Sequence, residues 1–207
     1  TMDHLHWGPE YSNEQIESDL RANRLEYRKV DDVAAEAARL VSEGKIVGWF
    51  HGRAEFGPRA LGARSFVADP RRKDMREILN QKVKLREWFR PLAPSMLEEY
   101  GREIFGVEHH DPFMITVIQV AEEWKKRIPA VVHVDGTTRP QMVRRSVNPL
   151  YYDMIERFGE KTGVPVVMNT SFNLKGEPVV NSPRDAVRTF YSSGLDALAI
   201  GSFLIEK

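Results

Sequence analysis

Short runs of apolar residues recur along the chain, and their length indicates buried strands. The run at 46–50 (IVGWF) and the run at 164–168 (VPVVM) are short, apolar and rich in residues that favour strands. Further strands are predicted at 65–68, 113–120 and 131–134, with a strand pair at 197–205. The segment at 84–94 contains two prolines and is predicted to be irregular.

Helical patterns fill much of the remaining sequence. An amphipathic helix is predicted at 12–23, with Ser12 or Asn13 as its N-terminal cap and Gln15 near the third position. Other helices are predicted from 31 or 32 to 43, at 73–81, at 149–163, and from 182 or 183 to before 194. Because strands and helices mix without strict βαβ alternation, the sequence predicts an α+β fold with a mixed, twisted sheet.

Composition places the chain among ordinary globular proteins. Its 207 residues are 42% hydrophobic and 29% charged. We expect a linker or tail at 1–12 and one domain at 13–207. The start of the chain lacks the pattern of a signal peptide, and no apolar run approaches the ~18 residues of a transmembrane helix. There are no cysteines, which excludes thiol catalysis and thiolate metal sites. We therefore expect a cytoplasmic protein without a membrane partner.

Charge is balanced overall but unevenly distributed. The chain has 30 basic and 30 acidic residues, whereas the segment 52–90 contains 11 basic and five acidic residues, a local charge of +6. A basic segment in a neutral protein indicates a local anionic ligand more than a surface coated with nucleic acid. Clustered arginines and lysines suit phosphates, and ATP is the ligand that we expect first.

The first candidate binding segment is 52–65 (GRAEFGPRALGARS), where three glycines and a proline indicate a shaped loop. Its arginines are spaced five or six residues apart: Arg53, Arg59 and Arg64. A loop could bring these guanidinium groups around one phosphate ligand, while the glycines let backbone N–H groups approach it. The alternative is a structural loop whose arginines pair with Glu55 and Asp69.

The second candidate segment is 82–94 (KVKLREWFRPLAP). In an extended strand, side chains alternate between two faces, so the basic ones would form one row: Lys82, Lys84 and Arg86. Such a row suits a polyphosphate, and Trp88 and Phe89 could stack on a base or pack in the core. The alternative is a solvated basic edge strand with its aromatic residues directed inward.

The third candidate segment is 133–141 (HVDGTTRPQ). A turn at 135–136 precedes Arg139, which we expect to be an anion ligand. His133 could act as an acid or a base near neutral pH, and the alternative for it is a purely structural role.

The fourth candidate segment is 169–176 (NTSFNLKG), which follows an apolar strand. Ser171 and Asn173 bring a hydroxyl and an amide to the strand end, where they could bind phosphate oxygens or orient a carbonyl group. Ser171 lacks a histidine and an acid at motif spacing, which disfavours a nucleophilic role. The alternative is a turn held by side-chain to backbone hydrogen bonds.

Common nucleotide and metal fingerprints are missing from the sequence. It contains no GxxxxGK[ST] and no GxGxxG after a strand, which excludes a P-loop and a dinucleotide-binding βαβ unit. The histidine pairs at 4 and 6 and at 109 and 110 lack the helical spacing of a strong metal site. We expect no protein-bound metal, and Mg²⁺ would arrive with ATP.

Four of these motifs, in this order, resemble the C-terminal domain of the O-carbamoyltransferases, which carbamoylate nodulation factors, cephalosporins and tobramycin. The motifs are GRAEFGPRALGARS, KxREWFRPLAP, HVDGTxRPQ and NTSFNLKGEP, and the resemblance covers about residues 8–206. It implies a YrdC-like fold, a twisted mixed sheet with helices around a concave basic cavity. Proteins of that fold carry KxR and SxN signatures for ATP, which Lys84-Leu85-Arg86 and Ser171-Phe172-Asn173 match.

The resemblance also implies an activity, the reaction of carbamoyl phosphate with ATP to give carbamoyl adenylate. In the complete family enzyme, an N-terminal actin-like, iron-binding domain transfers the carbamoyl group to a hydroxyl acceptor. Nothing in these 207 residues shows that domain, so we expect a carbamoyltransferase fragment that performs the adenylation half-reaction alone and has the N-terminal domain as its partner.

The resemblance assigns roles to the candidate residues. We expect ATP to contact Lys82, Lys84, Arg86, Arg53, Ser171 and Asn173, the last two at the α-phosphate and the acyl group. The catalytic arginines would be Arg59 and Arg64, which hold phosphate or the carbamoyl end, and Arg139, which faces the developing charge. Positioning and charge stabilisation could suffice without a general base.

Three other functions stay open from the sequence. An enzyme of the same fold could make threonylcarbamoyl adenylate or serve hydrogenase maturation. A non-catalytic module could bind nucleotide or double-stranded RNA by shape, with the steep salt dependence of phosphate contacts. A third possibility is a domain that binds nucleotide without turnover. The segments GPRALGARS and HVDGTxRPQ favour the O-carbamoyltransferases, and the balanced charge disfavours RNA binding.

Overall fold

Strands and helices follow one another irregularly along residues 2–207, the part of the chain that the computed structural model describes. The strands are β1 (Arg28–Lys29), β2 (Val47–Phe50), β3 (Arg64–Ala68), β4 (Ala93–Leu97), β5 (Ile118–Gln119), β6 (Thr137–Thr138), β7 (Gln141–Val143), β8 (Val166–Ser171), β9 (Ala197–Ile200) and β10 (Phe203–Glu206). The α-helices are α1 (Asn13–Ala22), α2 (Val33–Ser42), α3 (Met75–Ile78), α4 (Gly101–Phe105), α5 (Glu122–Arg127), α6 (Pro149–Thr162) and α7 (Pro183–Tyr191). A π-helical turn (Leu79–Val83) directly follows α3, and 3₁₀ turns occupy Glu98–Tyr100 and Pro129–Val131.

Eight of these strands form one mixed sheet in the order β1-β10-β9-β2-β3-β8-β4-β7. β2 is parallel to β9 and β4 is parallel to β7, whereas the other neighbours are antiparallel. β5 and β6 form a separate antiparallel pair. The mixed sheet and the helices around it confirm the α+β fold class. Among the described residues, no helix combines the length and the apolar character needed to cross a membrane.

The sheet separates two apolar clusters, one on each face. Side chains of one strand alternate between them: in β2, Val47 and Trp49 belong to one cluster and Phe50 to the other. α2 and α6 cover the first face, while α1 and α7 cover the second, where Leu20 and Phe190 are completely buried. Because both faces are covered, the central strands are apolar at nearly every position.

Most of the elements lie where the apolar patterns predict them. β2, β3, β8 and the pair β9–β10 match predicted strands, and α1, α2, α6 and α7 match predicted helices. Ser12 is the N-cap of α1 and forms the predicted capping box with Gln15. Gly163 follows the last residue of α6 with a φ of +73°.

Two strand predictions are wrong, and the strand β4 was not predicted. In the segment 113–120 only β5 is a strand, because the carboxylate of Asp111 accepts the N–H groups of Phe113, Ile115 and Thr116 and holds this stretch in a turn. The strand expected at 131–134 is absent, since a 3₁₀ turn begins at Pro129. The segment expected to be irregular, 84–94, has no strand before Ala93; there the unpredicted β4 begins, and it pairs with both β7 and β8.

The predicted tail at 1–12 includes Thr1, which lies outside the described residues. Farther along, residues 5–9 lie against the loop at 54–56. The N–H of Gly8 donates to Ala54 O at 2.9 Å, and the N–H of Ala54 donates to Pro9 O at 2.9 Å. The N–H of Phe56 donates to the carbonyl of residue 5 at 2.7 Å. This part of the N-terminal segment therefore supports the first candidate loop.

Candidate functional site

A cleft of about 230 Å³ lies between the loop at 54–60 and the end of β8. Its polar lining residues are Glu55, Arg59, Arg64, Ser171 and Asn181. The cleft therefore brings together Arg59, Arg64 and Ser171, which the sequence predicted as site residues from two segments about 110 residues apart.

The carboxylate of Glu55 shapes this loop from within. Its Oε1 accepts the N–H groups of Leu61 at 2.7 Å, Ala63 at 2.7 Å and Arg64 at 3.1 Å. Asp69 pairs instead with Arg71 at 2.6 Å. The arrangement in which the loop arginines form ion pairs with Glu55 and Asp69 is therefore absent, and Glu55 holds backbone groups instead.

Arg64 is completely buried beneath the loop. Its guanidinium donates to four backbone carbonyls at 2.9 to 3.2 Å, those of His51, Gly52, Ala63 and Pro9. Burial lowers the pKa of Arg64 to about 10, so the group stays charged at neutral pH. Arg64 thus joins the end of β2, the loop and the N-terminal segment, and it adds positive potential to the cleft.

Arg59 and Arg139 have a donor without a protein partner. The Nε of each is buried and forms no hydrogen bond within residues 2–207. Burial, followed by the charge of Arg59, lowers the pKa of Arg139, which indicates that the two guanidinium groups lie near each other. Desolvated cations with open donors favour an anionic ligand.

Lys84, Ser171 and Asn173 form one hydrogen-bonded unit, although Lys84 lies 87 residues before Ser171. The Nζ of Lys84 lies 2.8 Å from Ser171 O, 2.9 Å from Asn173 O, 2.7 Å from Asn173 Oδ1 and 3.2 Å from Ser171 Oγ. Ser171 Oγ donates to Asn173 Oδ1 at 2.6 Å. Ser171 is the member of this unit that lines the cleft.

The turn after β8 also has the side-chain to backbone bonds that the sequence left as an alternative. Asn173 Nδ2 donates to the carbonyls of Glu177 at 2.7 Å and Leu174 at 3.3 Å. These bonds fix the orientation of the Asn173 amide, so that its Oδ1 faces Lys84.

The environment of Lys84 makes its charge sensitive to ligands. Only 4% of the residue surface is exposed. Burial, with a smaller contribution from the charge of Arg86, lowers the pKa of Lys84 to about 7. An arriving phosphate would favour the ammonium form and raise this pKa again.

The extended backbone expected at 82–86 is wrong, and with it the single row of basic side chains. Residues 79–83 form the π-helical turn, and Leu85 has a φ of +50°. Lys82 is consequently exposed while Lys84 is buried. Arg86 lies on the following loop, and its Nε donates to Asn80 Oδ1 at 2.8 Å.

Arg53 lies outside the 230 Å³ cleft. Its side chain is exposed and donates to Trp7 O at 3.2 Å. It lines a separate, wider cleft together with His6 and His51. Arg53 and Lys82 are therefore predicted ATP ligands that lie apart from the Lys84 unit, and among the described residues the side chain of Arg86 bonds to Asn80 and not to that unit.

A buried polar network supports the loop from below, and the sequence did not reveal it. Ser95, Gln141 and Asn169 lie side by side on β4, β7 and β8. Ser95 Oγ donates to Gln141 Oε1 at 2.6 Å and accepts from Asn169 Nδ2 at 2.9 Å. The amides of Gln141 and Asn169 also donate to Leu61 O and Ala60 O. Polar residues within otherwise apolar strands are the only sequence signal for such a network.

His133 lies in the turn before β6. Its Nδ1 lies 3.0 Å from Thr137 Oγ1, and its N–H donates to Thr137 O at 2.7 Å. Both contacts stabilise the turn. Within residues 2–207, no three histidine or acidic side chains cluster in a way that could hold a metal ion.

Comparison with known sequences identifies a matching family and longer relatives. Residues 38–207 match the family described as "Carbamoyltransferase C-terminus". The chain is 44% identical over 212 residues to "Nodulation protein NolNO" of Sinorhizobium fredii, covering 100% of this chain and 31% of that protein. It is 34% identical over 204 residues to the "3'-hydroxymethylcephem-O-carbamoyltransferase" of Amycolatopsis lactamdurans, covering 99% of this chain and 38% of that protein. The chain thus spans about a third of the length of these relatives.

Solved structures give the same fold at lower identity. Sua5 of P. abyssi complexed with L-threonine superposes with a TM-score of 0.59 and 17% identity, over 81% of this chain and 46% of that one. Full-length HypF in its phosphate- and nucleotide-bound form superposes with a TM-score of 0.55 and 16% identity, over 87% of this chain and 22% of that one. At such identities the likeness establishes the fold alone, and it confirms the expected YrdC-like architecture.

Proposed function

The chain belongs to the carbamoyltransferase family, as the C-terminal part of longer relatives, and on that premise we propose that it binds ATP and carbamoyl phosphate and forms carbamoyl adenylate. One observation carries the proposal: the buried Lys84 binds Ser171 and Asn173, and Ser171 lines a cleft that also holds Arg59. In the complete protein, the preceding part would transfer the carbamoyl group to a hydroxyl acceptor.

The arrangement of cations supports two polyanionic substrates in one cleft. Lys84 binds Ser171 of the cleft lining, and ATP phosphates would replace part of the protein contacts of Lys84. Arg59 lines the cleft, and the open Nε donors of Arg59 and Arg139 suit the phosphate of carbamoyl phosphate. A volume of about 230 Å³ fits the reacting groups, and the nucleoside of ATP would extend beyond it.

The proposed reaction balances with one water. Carbamoyl phosphate, ATP and water give carbamoyl adenylate, pyrophosphate and phosphate. A carbamate oxygen forms the new bond to the α-phosphorus, and the bond from the α-phosphorus to the oxygen bridging the β-phosphate breaks. The water takes up the phosphoryl group of carbamoyl phosphate.

Each site residue has a role in this scheme that follows from its contacts. Ser171 and Asn173 would orient the α-phosphate and the carbamoyl group, because Ser171 lines the cleft and its Oγ is hydrogen-bonded to Asn173 Oδ1. Arg59 and Arg139 would neutralise the charge that develops on the phosphoryl oxygens. The terminal nitrogens of Arg64 are already bound to carbonyls and only its buried Nε lacks a partner among the described residues, so its contribution would be mainly electrostatic. Mg²⁺ would enter with ATP as part of that substrate.

The direct test is the release of pyrophosphate from MgATP, with and without carbamoyl phosphate. We expect release only when carbamoyl phosphate is present, with equal amounts of pyrophosphate and phosphate. Threonine with bicarbonate, the substrates of the same-fold alternative, should give none. ATP binding without release would indicate a domain that needs its preceding part for turnover, and an absence of both binding and release would contradict the proposal.

The pKa of Lys84 predicts a pH dependence of ATP binding. Below pH 7 the ammonium form dominates in both the free and the bound protein, so we expect the Kd for MgATP to be nearly constant. Above pH 7 the free protein loses the proton that the bound phosphate requires, and the Kd should rise by up to about tenfold per pH unit. Calorimetry in buffers of different ionisation enthalpy should show proton uptake at pH 8. Lys84→Arg stays charged, so its Kd for MgATP should not depend on pH in this range. A wild-type Kd that is constant above pH 7 would contradict the prediction.

A further inference from the structure

Asn80 is a completely buried polar residue to which the scheme above gives no role. It lies in the π-helical turn, between the buried apolar residues Leu79 and Val83. A buried amide is unfavourable unless its donors and acceptors are satisfied. The partners of Asn80 therefore indicate why an amide stands at this position.

The loop at 86–90 supplies those partners. The Oδ1 of Asn80 accepts from Nε of Arg86 at 2.8 Å, and its backbone carbonyl accepts from the N–H of Arg86 at 3.0 Å. Its Nδ2 donates to Trp88 O at 3.0 Å and to Arg90 O at 2.9 Å. The orientation of the amide is unambiguous, because an arginine nitrogen can only donate and a carbonyl can only accept.

The backbone around this amide separates Lys84 from Arg86. The N–H of Lys84 donates to Leu79 O at 2.8 Å, five residues back, and the N–H of Arg86 donates to Asn80 O, six residues back. Leu85, between them, has a φ of +50°, which is unfavourable for a residue with a Cβ. The chain therefore turns sharply, so that Lys84 contacts Ser171 and Asn173 while Arg86 contacts Asn80. π-turns and strained residues occur preferentially at functional sites.

We propose that Asn80 is a positioning residue that holds Arg86 by its Nε and so presents the two terminal guanidinium nitrogens to a phosphate of ATP. Within residues 2–207, Nε makes the only hydrogen bond of the Arg86 side chain. The terminal nitrogens are thus available to a ligand, while the long side chain is already ordered. Such preorganisation strengthens binding, because the entropy loss of ordering the arginine precedes the encounter. The proposal rests on the ATP binding proposed above.

A double-mutant cycle on ATP affinity tests this role. Arg86→Ala should raise the Kd for MgATP about 30-fold and Asn80→Ala about tenfold, because one charge-assisted contact is lost or loosened. In the Arg86→Ala background, Asn80→Ala should change the Kd less than about twofold, since Asn80 would act through Arg86. Effects that add in the double variant would overturn the positioning role.

The outcomes separate this inference from the function on which it rests. If Arg86→Ala leaves ATP affinity unchanged, the assignment of Arg86 to ATP fails, and the positioning role fails with it. If Arg86→Ala weakens binding but Asn80→Ala does not, only the role of Asn80 fails. Thermal unfolding of each variant shows whether it is folded, and Asn80→Ser, with its smaller cavity, replaces Asn80→Ala if the latter does not fold. Ser12→Ala, which removes the cap of α1, serves as a destabilised control and should leave the Kd unchanged.

Discussion

Replacement of Lys84 by methionine should raise the Kd for MgATP at least about 100-fold, because it removes the buried cation on which the Ser171 and Asn173 contacts converge. Methionine keeps the length of the side chain, so the cavity stays filled. Four acceptor oxygens lose their donor, which should lower the free energy of unfolding by about 1–3 kcal/mol and leave the fold intact. Calorimetric titration with MgATP measures the first effect, and denaturant unfolding measures the second.

Lys82→Met is the matched control for this variant. Lys82 lies two positions earlier, carries the same charge and is exposed, so its replacement should change the Kd less than about threefold. The comparison also tests the assignment of Lys82 to ATP that the sequence suggested. If both variants lost the same amount of ATP affinity, the general basic charge of the segment would be what attracts ATP. An unchanged Kd in Lys84→Met would exclude a phosphate site at this lysine.

The sequence predicted the elements of the sheet centre well because both faces of that sheet are buried. Under such burial a strand is apolar at nearly every position, as in 46–50 and 164–168, and the run is distinct from a helix by its length. The wrong strand at 113–120 has a local cause. Its apolar pattern is overruled by the Asp111 carboxylate, which accepts the N–H groups of Phe113, Ile115 and Thr116, and hydrophobic periodicity does not include such side-chain to backbone bonds.

The sequence predicted which residues form the candidate site better than it predicted how the backbone arranges them. The resemblance of the KxR and SxN motifs placed Lys84, Ser171 and Asn173 in one site, and the structure joins them by direct hydrogen bonds. The conformation of 79–86 was not predictable, because a π-turn followed by a leucine at positive φ goes against local propensity. The role of Asn80 could not be predicted for the same reason, since its hydrogen-bond partners depend on that conformation.

The loop arginines show that residue type alone does not predict whether an arginine binds a ligand. Arg59 and Arg64 occur in one motif, five residues apart, and both were expected to hold phosphate or the carbamoyl end. The Nε of each is buried without a partner among the described residues, but Arg64 is completely buried and its terminal nitrogens donate to four carbonyls, whereas Arg59 is only partly buried at the cleft. Sequence spacing could not distinguish a ligand-binding arginine from one that joins backbone segments. The two residues therefore invite a direct comparison.

Arg64→Met should lower the free energy of unfolding by about 3–5 kcal/mol, the range for breaking a buried charged network by removing one partner. The guanidinium is lost as a donor to the carbonyls of His51, Gly52, Ala63 and Pro9, and the last two keep a backbone N–H donor. For a chain of this size the melting temperature should fall by roughly 10 °C or more. Arg64→Lys keeps a charge but lacks the planar fork that reaches several carbonyls, so we expect an intermediate loss. Thermal unfolding of purified protein measures both variants.

Arg59→Met is the matched comparison, and it should behave in the opposite way. Because Arg59 makes no protein hydrogen bond through its buried Nε, its loss should change the free energy of unfolding by less than about 0.5 kcal/mol. It should nevertheless reduce carbamoyl-phosphate-dependent pyrophosphate release about 100-fold or more, as expected for a cation that contacts the transition state. If Arg64→Met were instead stable and inactive, Arg64 would be a ligand-binding arginine whose carbonyl contacts give way to substrate. If Arg59→Met were active, carbamoyl phosphate would have to bind at Arg139 without it.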